Sequence, residues 1–171
     1  MEVLRQFNKN KFSLSAQKNN LVCVLLVFLI FSFDRVSKIQ IIKHQLDNNS
    51  LYINDFINLE LVWNTGIGFG FLSAESSIFY NSITALIGCV LIFLIYLTIK
   101  SKFLEKILFT IILGGALGNF YDRLVYFAVP DFIDIHYGKF HWFTFNIADI
   151  FITLGIILFI TKDLLRKNEK N

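Results

Sequence analysis

From Ile78 to Ile99 the sequence runs without one charged side chain, interrupted only by uncharged polar groups such as Asn81. A helix rises about 1.5 Å per residue, so a run of this length crosses the ~30 Å hydrocarbon core of a bilayer. No other feature constrains the chain so tightly, because it fixes the solvent in which the fold must be built. Composition agrees: 55% of the 171 residues are hydrophobic, 20 of them Phe, against roughly 45–50% apolar residues, Gly included, in a soluble domain. The formal net charge is only +3 and the basic residues fall in three short clusters. That distribution fits membrane orientation and excludes an extended basic surface for nucleic acid.

Three further segments extend the pattern. Leu21 to Phe33 is an apolar run, with Ser32 its one polar residue, that continues through Asp34-Arg35-Val36-Ser37-Lys38 into IQII. A basic leader before such a run imitates a secretory signal, but Phe33, Asp34 and Arg35 stand where cleavage needs small residues. Ile107 to Phe120 and Phe145 to Ile160 complete the set, the former carrying Gly114, Gly115 and Gly118 as small residues that let helices approach closely. The expected organisation is a basic tail over 1–20, treated as flexible or surface-lying, a membrane domain over 21–162 with spans near 21–42, 78–99, 107–123 and 145–161, and a second basic tail over 163–171. Between the first two spans, Ile57, Leu59, Leu61 and Trp63 alternate with Asn58, Glu60 and Asn64 before Gly66, Gly68 and Gly70. This reads as a strand entering a glycine-rich turn, part of a small sheet on the membrane surface. Cys23 and Cys89 sit in apolar runs and read as packing residues.

Orientation follows from charge. Eleven of the sixteen Lys and Arg precede the first span, fill the second connection or follow the fourth span, which puts both termini in the cytoplasm. Asp34, Asn64, Asn119 to Arg123, Asn146 and Asp149 then all fall at the outer leaflet. Helix packing alone does not require that coincidence, and ionisable groups beside hydrocarbon call for a function.

Each polar group also has a bland account. Asn119, Asp122 and Arg123 stand at i, i+3 and i+4 and would serve as a helix end tied by an Asp–Arg pair. Asn146 and Asp149, i and i+3 in the first turn of the fourth helix, would serve as a cap. Asp131 lies in a connection whose aromatic part, 132–145, is expected to be irregular and to fold back as a flap. Two carboxylates at a membrane boundary do not easily both ionise, so Asp131 and Asp149 would share a proton and activate water for attack on an amide. A metal alternative draws on Asp131, Asp134, His136 and His141, but their spacing matches no zinc pattern. Neither metal nor cofactor is expected, and the histidines, His44 included, read as interfacial polar residues. The rival from another class is a small proton- or ion-coupled carrier, which would place polar groups near mid-membrane. A purely structural subunit leaves the Asn and Asp clustering unexplained.

The motifs Asp34-Arg-Val-Ser-Lys38, Asn64-Thr-Gly-Ile-Gly-Phe69, Gly114 to Arg123, Val129 to Asp134 and Phe145 to Asp149 together resemble the lipoprotein signal peptidases, or signal peptidase II, over about residues 21–162. The resemblance implies an aspartyl endopeptidase of the bacterial inner membrane that removes signal peptides from prolipoproteins, cutting N-terminal to a diacylglyceryl-modified cysteine. It also implies an all-α polytopic membrane protein of four transmembrane helices, with a small periplasmic β-sheet and a helical periplasmic flap. By motif, Asp131 and Asp149 resemble the catalytic dyad, Asn64, Asn119, Arg123 and Asn146 the residues that hold substrate and dyad, and Asp34 and Lys38 their support. Asp122 is expected to be structural. Partners are then lipidated prolipoproteins and membrane lipid, with the protein a monomer and its site at the periplasmic leaflet. Gly68 replaces the usual Ala, and Pro130 precedes the candidate Asp where Val is common.

Overall fold

The computed structural model describes residues 2–47, 50–66 and 77–168. Four helices, α1 (Glu2–Asp47), α2 (Ser77–Lys100), α3 (Phe103–Val125) and α4 (Ile147–Asn168), carry a four-stranded antiparallel sheet of β1 (Leu51–Asn54), β2 (Ile57–Asn64), β3 (Val129–Tyr137) and β4 (Phe140–Phe145), in spatial order β1-β2-β3-β4. Among the described helices, α2 and α3 are long and apolar enough to cross a membrane by composition alone. In α1 the charges of Asp34, Arg35 and Lys38 interrupt the run, and all three are buried. α1 begins at Glu2, so residues 2–20 are helical and continuous with the apolar run that follows. The glycine-rich turn through Gly68, Phe69 and Gly70 lies outside the described residues.

α3 is the centre of the bundle and packs against α1, α2 and α4. Its glycines make the contacts possible: a Cβ on Gly115 would sit 2.5 Å from the Ala148 carbonyl oxygen of α4, and one on Gly118 would overlap the Asp34 carboxylate of α1. Outward, α2 exposes Ile78, Leu86, Ile92 and Phe93, apolar faces that suit lipid and would be costly in water.

The largest departure lies at residues 129–145. The expected irregular or helical flap is a β-hairpin closed by the two-residue loop Gly138-Lys139, with Gly138 at φ 58°, a left-handed conformation that costs glycine little. Pro130 fits because the β3–β4 ladder stops at Ile133↔Phe145, while Pro130 pairs only with Trp63 of β2. Its missing N–H faces no partner strand there.

Connectivity decides where the sheet lies. β1 follows the end of α1, β3 follows the end of α3, and β4 leads into α4. The C-terminal ends of α1 and α3 and the N-terminal end of α4 therefore meet beneath one sheet. At the opposite end Lys162 pairs with Glu105 at 2.5 Å and Lys106 donates to Asn20 at 2.8 Å.

Candidate active site

Where those three helix ends meet the sheet, three asparagines surround two carboxylates. Asn64, the last residue of β2, donates from Nδ2 to Asp131 Oδ2 at 2.9 Å. Asn146, just before α4, donates from Nδ2 to Asp131 Oδ1 at 2.5 Å. Asn119, on α3, donates from Nδ2 to Asp149 Oδ1 at 2.8 Å. An amide has a donor end and an acceptor end, so its orientation is fixed by whatever binds the oxygen. Each oxygen here is bound by a group that only donates: Gly66 N–H on Asn64 at 2.9 Å, Asp149 N–H on Asn146 at 3.1 Å, and Lys38 Nζ on Asn119 at 2.8 Å. All three NH₂ groups are thereby turned toward the carboxylates.

Asn146 joins the pair. Its side chain reaches Asp131, and its backbone N–H donates to Asp149 Oδ2 at 3.1 Å. Because Asp149 N–H returns a bond to Asn146 Oδ1, the two residues also form a reciprocal capping box for α4. The cap and the carboxylate pair therefore share a residue: the carboxylate that closes the capping box is also one of the pair. Asp131 is 3% exposed, and burial, reinforced by the negative charge of Asp149, raises its pKa to about 6 against the pull of the Asn64 and Asn146 hydrogen bonds. One carboxyl able to hold a proton beside one able to accept it is the requirement for general acid–base work on an amide.

Below the pair lies a buried ion network. Lys38 uses all three of its N–H donors, on Asp34 Oδ2 at 2.9 Å, Asp122 Oδ2 at 2.7 Å and Asn119 Oδ1. Arg35 pairs with the other oxygen of Asp122 and lies over the Tyr121 ring. Asp34 spends its second oxygen on Ala148 N–H at 3.0 Å, which ties the start of α4 to α1. Two carboxylates and two cations balance, the condition under which ions tolerate burial. Asp122 thus pairs across to α1, not with Arg123 as a helix-end reading suggests. Arg123 instead donates from Nη2 to the Gly66 carbonyl, while its buried Nη1 has no partner among the described residues.

All eight residues singled out in the sequence, Asp34, Lys38, Asn64, Asn119, Arg123, Asp131, Asn146 and Asp149, meet in this one assembly. Arg35 was not singled out. The D-R-x-x-K spacing sets Asp34 and Lys38 on one helix face but gives no hint of a partner for the arginine between them.

Two cavities open beside the carboxylates. One, about 340 Å³, lies against the sheet and is lined by Asp131, Trp63, Asn64 and part of β4; the other, about 370 Å³, runs along α4 from Asp149 past Ile150, Leu154 and Ile157. Among the described residues no three His, Cys, Asp or Glu side chains form a metal cage.

Comparison with known proteins follows the same lines. Residues 26–165 match the family described as Signal peptidase (SPase) II. The lipoprotein signal peptidase of Pelagibacter ubique (strain HTCC1062) is 48% identical over 163 residues, covering 94% of this chain and 96% of its own. That of Anaplasma phagocytophilum (strain HZ) is 33% identical over 156 residues, covering 90% and 99%. A solved bacterial membrane enzyme, determined by the in meso method at 2.3 Å resolution, superposes with a TM-score of 0.73 at 32% identity, covering 88% of this chain and 92% of that one. A second, at 1.9 Å, gives 0.65 at 30% identity, with 84% and 92% covered.

Proposed function

The chain belongs to the signal peptidase II family, and on that premise we propose that Asp131 and Asp149 are the catalytic pair of an intramembrane aspartyl endopeptidase acting on prolipoproteins. The observation that carries the assignment is Asn146, which binds both carboxyls with donors whose direction is fixed. The bond cut is the amide on the N-terminal side of a diacylglyceryl-modified cysteine. The ionised carboxylate takes a proton from water as its oxygen attacks the carbonyl carbon; the protonated partner then gives its proton to the departing cysteine nitrogen as the C–N bond breaks. The products are a free signal-peptide carboxylate and a free cysteine amine, and the pair returns to one shared proton. Arg123, whose buried Nη1 has no partner among the described residues, is the donor for a substrate carbonyl.

The same premise supports the topology. The protein is a membrane protein of bacteria, and we assign four crossings to it. α1 carries Asp34, Arg35 and Lys38 in the buried ion network and α4 carries Asp149 at the carboxylate pair, while Lys162, Asp163, Arg166 and Lys167 pair at the far end of α4. Basic clusters at the ends of α1, α2 and α4 remote from the sheet favour cytoplasmic termini and a site at the periplasmic leaflet, with a monomer as the working unit.

Asp131→Asn and Asp149→Asn test the assignment. In the latter an amide oxygen remains to accept the Asn146 N–H, so the cap survives. Detergent-purified variants should lose cleavage of a lipid-modified prolipoprotein on a gel by about a thousandfold or more while remaining folded. EDTA should leave wild-type cleavage unchanged. Substantial cleavage by either variant removes that residue from the pair.

A further inference from the structure

The two cavities at the carboxylates differ in chemistry, and the substrate does too. Asp149 opens onto the groove along α4, whose other walls are Phe143, Phe145, Ile150, Leu154 and Ile157 with Thr153. Asp131 opens onto the cavity against the sheet, where Trp63, Trp142, Thr144, Asp134 and His141 stand. On the proposed reading of the dyad, acyl chains and signal peptide are apolar, and the segment after the cysteine is the hydrophilic part that must leave the bilayer.

The wall of the sheet cavity is built by a register shift. Ile135 pairs with Phe143 but His136 pairs with His141, so Trp142 is an extra residue in β4. Such a bulge re-aims side chains, and a one-residue slip exchanges the faces of a strand. Without it Trp142 would stand opposite His136; with it His141 does, the two imidazoles stacking at 5.4 Å. His141 Nδ1 then lies 2.7 Å from Asp134 Oδ2, a carboxylate only 3% exposed. A carboxylate on Nδ1 holds the proton there, which leaves Nε2 of the neutral ring as a lone-pair acceptor. The half-exposed His141 therefore presents an acceptor to the cavity, flanked by the carboxylates of Asp131 and Asp134.

We propose that this cavity is the subsite for the residues immediately following the lipidated cysteine, and that His141, oriented by Asp134, selects a hydrogen-bond-donating side chain there over an acidic one. The selection rests on the dyad reading, since it needs the scissile amide at Asp131 and Asp149.

Two lipopeptides that differ only in Asn or Asp after the diacylglyceryl cysteine are isosteric and isolate the effect. At pH 8 wild-type kcat/KM should favour Asn about tenfold, the size of one hydrogen bond gained against one acceptor opposed. His141→Phe keeps the ring stack and loses the acceptor, so the preference should fall at least about threefold. Asp134→Asn presents an amide that can donate to Nδ1, which moves the imidazole proton to Nε2 and removes one negative charge; the preference should fall to about one or reverse. A merely structural role for these residues would lower both rates and leave the ratio alone.

Binding gives an independent readout, because the only two tryptophans of the chain, Trp63 and Trp142, both line this cavity. In the Asp149→Asn protein the Asn lipopeptide should shift tryptophan emission, and a lipopeptide ending at the cysteine amide should not. Equal wild-type rates for Asn and Asp, ratios unchanged within about twofold in both variants, or equal emission responses to the two peptides would overturn the subsite. Cleavage by Asp149→Asn would instead sink the dyad, a failure the gel distinguishes from a flat ratio.

Discussion

At the scale of single residues, the unusual property of this site is that amide direction is imposed and not adjustable. Asn64 offers Asp131 a donor only because Gly66 N–H occupies its oxygen. That donor stabilises the ionised carboxylate and so holds its pKa down, while burial and Asp149 have raised it to about 6. Asn64→Leu removes the downward pull, and the pKa of Asp131 should rise further, by about one unit. The limb of the kcat/KM profile that follows this carboxyl should move to higher pH, measured across pH 4 to 9; movement to lower pH would contradict the hydrogen-bond direction. The sequence displayed the identity of these residues, because Asn and Asp beside apolar runs are conspicuous. What it hid was polarity, since which end of an amide faces which carboxyl depends on donors from three other elements.

Elements were legible in proportion to their periodicity. The uncharged run of α2 and the alternation in β2 announced themselves, whereas the β3–β4 hairpin did not. Its strands hold Pro130, a bulge at Trp142 and aromatics on both faces, and its turn is the inconspicuous Gly138-Lys139. Proline and continuous aromatics argue against a strand only when the whole strand is central, and the upper part of β3 has a neighbour on one side alone. The capping box at Asn146 and Asp149 was visible as a pair but not as a link between helix and chemistry. On the proposed role of the pair, that link ties the rate of cleavage to helix placement. Gly115 meets the Ala148 carbonyl and Ile152 on α4, so Gly115→Val should push α4 from α3, cost about 1–3 kcal/mol of stability and misplace Asp149. Thermal unfolding in detergent should show the loss, and kcat should fall by more than KM changes. A variant that is destabilised yet fully active would separate packing from the site.

For the molecule as a whole, burial of charge and direction of insertion are one problem. A hydropathy score identifies α2 and α3 by composition, while α1 carries the buried ions Asp34, Arg35 and Lys38. Those ions are neutralised within the bundle by Asp122 and by one another, so the score records composition and misses the pairing. Removing one partner leaves a buried charge unmatched: Lys38→Met should cost about 3–5 kcal/mol, as breaking a buried ion pair does, seen as lost yield and lowered thermal stability. Since the network sits at the sheet end and the basic clusters at the other, the two ends of the bundle are electrostatically distinct, and cytoplasmic retention of Lys and Arg orients them. Cysteine labelling on a Cys23→Ala, Cys89→Ala background tests this directly. Lys139→Cys, in the exposed hairpin loop, should react with a membrane-impermeant maleimide added to spheroplasts. Lys102→Cys, exposed between α2 and α3, should react only after the membrane is permeabilised. The opposite pattern would place the carboxylate pair on the cytoplasmic face, where a site for lipoproteins emerging on the outer side could not act; equal labelling of both positions before permeabilisation would deny that the bundle separates two compartments at all.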